Sequence, residues 1–546
     1  MQQPVTFTRL GDFTASRRLL ILSAIAVGLG LAGAIIAVAL LDLIALSTNL
    51  FFHHRLSIEA ASPVSHELGR WAILVPVVGG LIVGFIARFG SERIRGHGIP
   101  EALEAILFGK SILQPKIALL KPLSSAIAIG SGGPFGAEGP IIMTGGAFGS
   151  IVAQCFHLSS AERKTLLVAG AAAGMSAVFA TPLAAVLLAV ELLLFEWKPR
   201  SFVPAALAAA TAAAARRWLL GLGPIFPVTP HPVAIPMTAL ALCCVSGALA
   251  ALLSITMTRA VYASEDAFLH LPIHWMWWPA LGGIAIGIGG WFFPQALGVG
   301  YDTIGALLQG DVPVTTLAGI LVVKFTIWAI ALGSGTSGGV LAPLLMVGGA
   351  LGGLEAEVFP AMGPGFWPLV SMAAVLGGTM RTPFTAVVFA LELTHDFNMV
   401  LPLLAAVTIA YAVTVLGVRR SILTEKIARR GYHLTREYSI DPLEIVFVRE
   451  VMQPLDAAGM GTPAPRGAFA YPDEPLRAVA YRMAATGATW LPVVDPDSGG
   501  AAIGAISLGD LLQGRMQVLD AEQRRERVLT FRTLVPAWVR ERSGTV

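Results

Sequence analysis

Apolar residues run along this chain in long blocks, interrupted by short polar or glycine-proline segments, with little of the helical or strand-like alternation of a soluble fold. The first block, Leu19 to about Leu41, is long enough to cross ~30 Å of hydrocarbon. It is too long for a signal-peptide core, and Arg17-Arg18 before it predict a cytoplasmic N-terminal segment over residues 1–18. His53-His54-Arg55 opens a loop that runs to Arg70, and a second span is predicted from Trp71 to about Ala87. Apolar segments follow at about 117–130, 139–157, 165–196, 202–222, 234–259, 275–297, 314–333, 338–359, 366–393 and 398–418. Several are short for a membrane crossing and several are well over the needed length, which predicts re-entrant and strongly tilted helices. From about Ser439 the polar content rises and no membrane-length run recurs, so residues 439–546 read as a cytoplasmic domain and tail. Within it, helix-period and strand-like segments alternate, as in a small α/β unit.

Composition agrees with the pattern. With 55% hydrophobic and 13% charged residues, the chain is far from the roughly 25% charged of a soluble domain, and it reads as an all-α polytopic membrane protein. The net charge of +3 comes without a long basic run, so nucleic acid is not an expected partner; Arg524-Arg525-Glu526-Arg527 reads as a solvated face. Cys155 and the pair Cys243-Cys244 lie in apolar stretches, which supports neither a disulfide framework nor a metal site. Nothing indicates covalent catalysis or a redox cofactor, and no enzymatic activity is expected.

The chemistry concentrates at the breaks. Gly130-Ser131-Gly132-Gly133-Pro134-Phe135-Gly136-Ala137-Glu138-Gly139-Pro140 interrupts two apolar segments and carries one carboxylate. Bared backbone cannot be satisfied by lipid, so a break of this kind must line protein or water. Gly139-Pro140 suits a helix start, where free N–H groups and the helix dipole attract an anion. Glu138 is then a tethered competitor for that anion. A second copy, Gly333-Ser334-Gly335-Thr336-Ser337-Gly338-Gly339-Val340-Leu341-Ala342-Pro343, aligns without a gap, Pro140 falling on Pro343, 203 positions on, and Lys121 on Lys324. Thr181-Pro182 through Glu191-Leu192 repeats as Thr382-Pro383 through Glu392-Leu393, and Gly96-His97-Gly98-Ile99-Pro100 has a weaker echo in Gly298-Val299-Gly300-Tyr301-Asp302. The membrane domain, 19–438, therefore consists of two related halves, about 19–222 and 223–438. Interrupted segments at matching places in two halves point to a midplane transport site. Close helix packing by small residues is the competing explanation of the glycines. Glu191 and Glu392 read first as helix-terminal or interhelix polar residues, and secondarily as functional acids.

On these residues the chain resembles the CLC family of chloride channels and proton-coupled anion exchangers over roughly residues 15–430. Gly96-His97-Gly98-Ile99-Pro100 is similar to the family's first anion-site motif, Gly136-Ala137-Glu138-Gly139-Pro140 to its gating-glutamate motif, and Gly339-Val340-Leu341-Ala342-Pro343 to its third. The resemblance implies an inverted-repeat fold of tilted and broken helices, and a homodimer in the bilayer with one pore per subunit. It further implies a plasma-membrane location, bacterial inner membrane here, with both termini cytoplasmic, and voltage-gated chloride transport as the default. Glu138 would occupy the outer anion position and swing away when protonated, so that proton and anion compete for one place. Amides near Gly98-Ile99, Glu138-Gly139 and Val340-Leu341 would bind the ion weakly enough for release. Residues from about 447 to 515 resemble a single CBS unit, in which Ser507 and Asp510 fit an adenine-nucleotide contact; a dimer-stabilising domain without ligand is the alternative.

Four positions depart from the familiar exchanger pattern. His97 stands in place of a serine, either donating to the ion or turned into protein and bonded to a carbonyl. Leu341 replaces a phenylalanine, and Leu423 a tyrosine whose hydroxyl closes the inner side of the site. Leu192 stands where proton-coupled members often carry an inner glutamate. A leucine cannot relay a proton, so the sequence leans toward channel-like or loosely coupled conduction of chloride or a similar monovalent anion, with bromide, nitrate and bicarbonate open. Proton-coupled antiport is the alternative, and a ligand-sensing membrane protein with vestigial conduction a further one.

Overall fold

A computed structural model describes residues 17–107, 109, 111–310, 312–429, 443, 446–454, 468–495 and 502–523. The rest of the N-terminal segment, the expected boundary near Ser439 and Arg524-Arg525-Glu526-Arg527 lie outside the described residues. The chain divides into two units, Met1–Arg436 and Glu437–Val546.

In the first unit the apolar blocks become helices that end where glycine, proline or a left-handed residue interrupts them. The first half holds α1 (Arg18–His53), α2 (Leu74–Phe89), α3 (Ile99–Leu107), α4 (Pro115–Gly130), α5 (Glu138–Gln154), α6 (Ser160–Phe179), α7 (Pro182–Leu188) and α8 (Pro199–Leu219). The second holds α9 (Met237–Leu269), α10 (Trp278–Phe292), α11 (Tyr301–Gln309), α12 (Val314–Gly319), α13 (Phe325–Gly333), α14 (Leu341–Ala356), α15 (Phe366–Met380), α16 (Pro383–Thr394), α17 (Val400–Gly417) and α18 (Ile422–Arg429). Among the described residues, five helical stretches are long and apolar enough to cross a membrane, Arg18–His53 and Met237–Leu269 being two of them. Leu20, Trp218 and Leu416 stand exposed on the outside, as a lipid-facing surface requires.

Two expectations give way. The segments 165–196 and 366–393, each read as one apolar block, are each split by a left-handed residue, Ala180 at φ 56° and Arg381 at φ 58°, immediately before a Thr-Pro pair that starts a new helix. The first span also continues past Leu41 to His53, because Asn49 is fully buried and its amide nitrogen donates to the Ser57 and Glu59 carbonyls at 2.9 and 2.8 Å.

The halves are joined by exchange between equivalent residues. Gly136 and Gly339 form a reciprocal antiparallel bridge, with N–H···O distances of 3.3 and 2.9 Å. Glu191, in a π turn at Ala189–Leu194, accepts from the Phe384 and Thr385 amides at the start of α16, at 3.2 and 2.8 Å. Glu392 on α16 accepts in the same way from Leu183 and Ala184 at the start of α7, at 3.0 and 2.8 Å. Equivalent positions trading bonds in both directions is the signature of a local twofold axis between the repeats, and the fold is the inverted-repeat CLC-like arrangement. Around this seam α5 packs on α6 and α14 on α15, with α1 and α8 outside one half and α9 and α17 outside the other. The close-packing role of glycine is present too: a Cβ on Gly145 of α5 would lie 2.4 Å from the Gly170 carbonyl oxygen of α6.

The second unit contains α19 (Val448–Val451), α20 (Leu476–Thr486), a two-stranded antiparallel sheet of β1 (Trp490–Val494) and β2 (Ala502–Ser507), and α21 (Leu508–Gln523). Its core gathers Val448, Leu476, Val479, Leu491, Val493 and Ile506. Ser507 and Asp510 bond each other at the start of α21: Asp510 Oδ2 accepts from the Ser507 amide and hydroxyl, both at 2.7 Å. That is a helix-capping arrangement.

The exchanged carboxylates make a stability prediction. Glu392→Ala leaves the part-buried Leu183 and buried Ala184 amides without their acceptor and is expected to cost about 1–3 kcal/mol. The check is a lowered thermal unfolding temperature in detergent, with Glu392→Gln, which keeps one acceptor oxygen, falling between Ala and the parent.

Candidate functional site

The starts of α3, α5 and α14 meet at the seam between the halves. Gly139 of α5 lies so close to the turn preceding α3 that a Cβ on it would stand 1.9 Å from the His97 carbonyl oxygen. Only glycine admits this approach, which brings the start of α5 against the turn before α3. Among the described residues, neither the Gly139 nor the Ile99 amide has a hydrogen-bond acceptor, as expected of first-turn N–H groups of α5 and α3 open to an anion.

Glu138 is fully buried, and its carboxylate belongs to the other half's helix: Oε1 accepts from the Leu341 amide and, at 3.2 Å, from the Ala342 amide, both at the start of α14. Among the described residues, Oε2 has no hydrogen-bond partner. The carboxylate thus sits where the dipole of α14 favours negative charge. Gly339 makes room for it, since a Cβ there would lie 2.5 Å from Glu138 Oε1. Leu341, the phenylalanine replacement, is buried and contributes its backbone N–H.

Two fully buried lysines hold the loops that precede the short helices. Lys121 Nζ donates to the carbonyls of Ile94 and Gly96 at 2.9 and 2.7 Å and to Ser337 Oγ at 3.0 Å. Lys324, its repeat partner in the π turn Ile320–Lys324, donates to the Gly298 carbonyl at 2.7 Å. The pairing gives the faint echo at Gly298-Val299-Gly300 a structural meaning: the same carbonyl is clamped by the same residue type in each half.

The structure corrects one expected donor. The Gly98 amide is taken by Glu101 Oε2 at 2.9 Å, so the first motif offers Ile99 rather than Gly98. The reason is a carboxylate three residues past the helix cap, a capping-box spacing legible in Gly98-Ile99-Pro100-Glu101. His97 is buried, with Nδ1 lacking a hydrogen-bond partner, so that nitrogen is not the carbonyl-bonded one the second reading required. Leu423 and Leu192 are both fully buried, and neither offers a polar group. Glu191, beside Leu192, spends both carboxylate oxygens on α16. A cavity of about 910 Å³, lined by Thr48, Arg216, Gly298, Tyr301 and Asp302, reaches Ala137, the residue before Glu138.

Residues the sequence reading missed are Glu101, which also pairs with Lys426 Nζ at 2.7 Å, and Tyr301, whose buried hydroxyl has no partner. Lys426 lies three residues beyond Leu423, one helical turn, and that spacing was its only signal.

Residues 79–415 match the family model described as voltage gated chloride channel. The chain is 29% identical over 362 residues to a chloride channel protein ClcB-like of Ralstonia nicotianae, covering 64% of this chain and 83% of that one. It is 28% identical over 359 residues to the H(+)/Cl(-) exchange transporter ClcA of Vibrio vulnificus, covering 63% and 76%. Among solved structures, that of a slow cyanobacterial Cl-/H+ antiporter superposes with a TM-score of 0.67 at 22% identity over 76% of this chain and 99% of that one. A eukaryotic CLC transporter does so with a TM-score of 0.62 at 23% identity over 92% and 89%.

The seat of Glu138 is testable through Gly339. Gly339→Ala puts a methyl against Glu138 Oε1 and the Gly136 carbonyl, and is expected to weaken chloride binding about tenfold, read by titration calorimetry on folded protein. Gly28→Ala, which meets no atom within 4 Å, is the control expected to leave binding unchanged.

Proposed function

The chain belongs to the voltage-gated chloride channel family, and from that premise we propose that it exchanges chloride or a similar small monovalent anion for protons, along the path that Glu138 plugs. It is an integral membrane anion transporter. The observation that carries the exchange reading is a buried carboxylate held by the first amides of α14, with a second oxygen bonded to nothing. An anion arriving at those amides competes with the side chain for the same donors. A proton on Glu138 removes the charge that keeps it there, so each proton taken up frees the place for an anion.

The curated relatives favour coupling: ClcA of Vibrio vulnificus is named an H(+)/Cl(-) exchange transporter. The channel-like leaning drawn from Leu192 and Leu423 finds no support there, and proton-coupled antiport is the better-supported reading. Loose coupling stays as the second reading because Leu192 is buried and Glu191 beside it is committed to capping α16. Assembly as a homodimer in a bacterial inner membrane, with cytoplasmic termini, follows the family resemblance.

Reconstituted in liposomes, the protein is expected to drive steady proton movement against an imposed chloride gradient; chloride flux without proton movement would leave the uncoupled reading. Because ionised Glu138 competes with the anion and protonated Glu138 does not, flux falls as pH rises. Glu138→Gln keeps the shape without the charge, so its flux is expected to be flat with pH and to move no protons. A pH response retained in Glu138→Gln would shift attention to His97. Anion replacement in the same assay ranks chloride, bromide, nitrate and bicarbonate.

A further inference from the structure

The tyrosine that the family resemblance led one to expect at Leu423 is absent, and Leu423 is buried among apolar side chains. One turn further along α18, Lys426 crosses to α3. Its Nζ lies 2.7 Å from Glu101 Oε1, and a Cβ on Gly96 would lie 2.2 Å from it, so the ammonium stands directly against the first motif. The pair is graded in exposure: the Lys426 side chain is 18% exposed and that of Glu101 4%. The lysine is therefore the more accessible partner, and α3 begins at Ile99, two residues before Glu101.

We propose that the Glu101–Lys426 ion pair is the inner barrier of the anion path, closed when the lysine rests on the carboxylate and open when its ammonium turns to an entering anion. This rests on the reading of the Glu138 site as the anion path. The surroundings permit such a turn without moving a helix. Glu101 stays held by the Gly98 amide at 2.9 Å when the lysine leaves. The start of α18 is fixed by the Tyr262 hydroxyl donating to the Ile422 carbonyl and by mutual bonds between Ser421 and Thr424. Lys121, the other cation at this place, has three acceptors and is pinned. The ammonium trades one anion for another, while Glu101 gives up its cation and keeps the Gly98 amide, so the open arrangement costs free energy and the closed pair is the resting one.

The test compares anion and proton fluxes in liposomes for the parent, Lys426→Met, Lys426→Arg and Glu138→Gln. Loss of the barrier in Lys426→Met is expected to raise anion flux about fivefold and to lower the protons moved per anion, while Lys426→Arg restores both toward the parent. Parent-like flux and coupling in Lys426→Met, with Glu138→Gln altered, overturns the barrier and leaves the Glu138 reading standing. Parent-like behaviour in both variants overturns both. A Lys426→Met protein that is not monodisperse in detergent is replaced by Lys426→Gln, which loses the charge at similar length and is read against the same two outcomes.

Discussion

Backbone N–H groups at a helix start need an acceptor, and inside a bilayer water does not supply one. That single requirement arranges most of the polar chemistry in the membrane unit. Broken helices multiply the number of such starts, and the chain answers with carboxylates: Glu101 on Gly98, Glu138 on Leu341 and Ala342, Glu191 on Phe384 and Thr385, Glu392 on Leu183 and Ala184. The freed carbonyls before α3 and α11 are met by Lys121 and Lys324. The apolar blocks supply length and packing, but these few ionisable groups decide where helices can stop inside the membrane.

The same device serves two ends, and the bonding separates them. Glu191 and Glu392 each use both oxygens on amides of the opposite half, which makes them fixtures. Glu138 is bound through one oxygen, and the other has no partner. A carboxylate with half its acceptor capacity idle in a dry site is held less firmly than one fully bonded, and it is the one beside the cavity that reaches Ala137. Transport asks for this graded grip: strong enough to close the path, weak enough to yield.

Much of this was legible in the chain. The repeat, the glycine-proline breaks and the placement of Glu138 at a helix start all follow from residue order, since glycine, proline and an isolated carboxylate in apolar sequence each have few structural uses. Glu191 and Glu392 were readable as helix-terminal groups, though not which helix each would serve. What could not be read is contact between distant stretches. Glu101 and Lys426 meet across the whole membrane unit, and local spacing shows only half of each pair. The break at Ala180 was hidden because hydropathy is continuous through it, with only the following Thr-Pro pair as punctuation, whereas at Arg381 the arginine itself interrupts the apolar run. The first span was read short, ending at about Leu41, because nothing local shows that Asn49 is buried as an anchor for the loop that follows.

The crossed carboxylates also constrain how the polypeptide is made. The start of α7 is synthesised 208 to 209 residues before its acceptor Glu392 arrives, and at ~5–20 residues per second that is a wait of about 10–40 seconds. During that interval the earlier portion is already threaded into lipid with an open helix tip and a carboxylate that has nowhere to dock. Something borrowed, whether water, headgroup or the insertion machinery, must stand in until the later portion emerges, so neither portion reaches its final form as a free-standing piece.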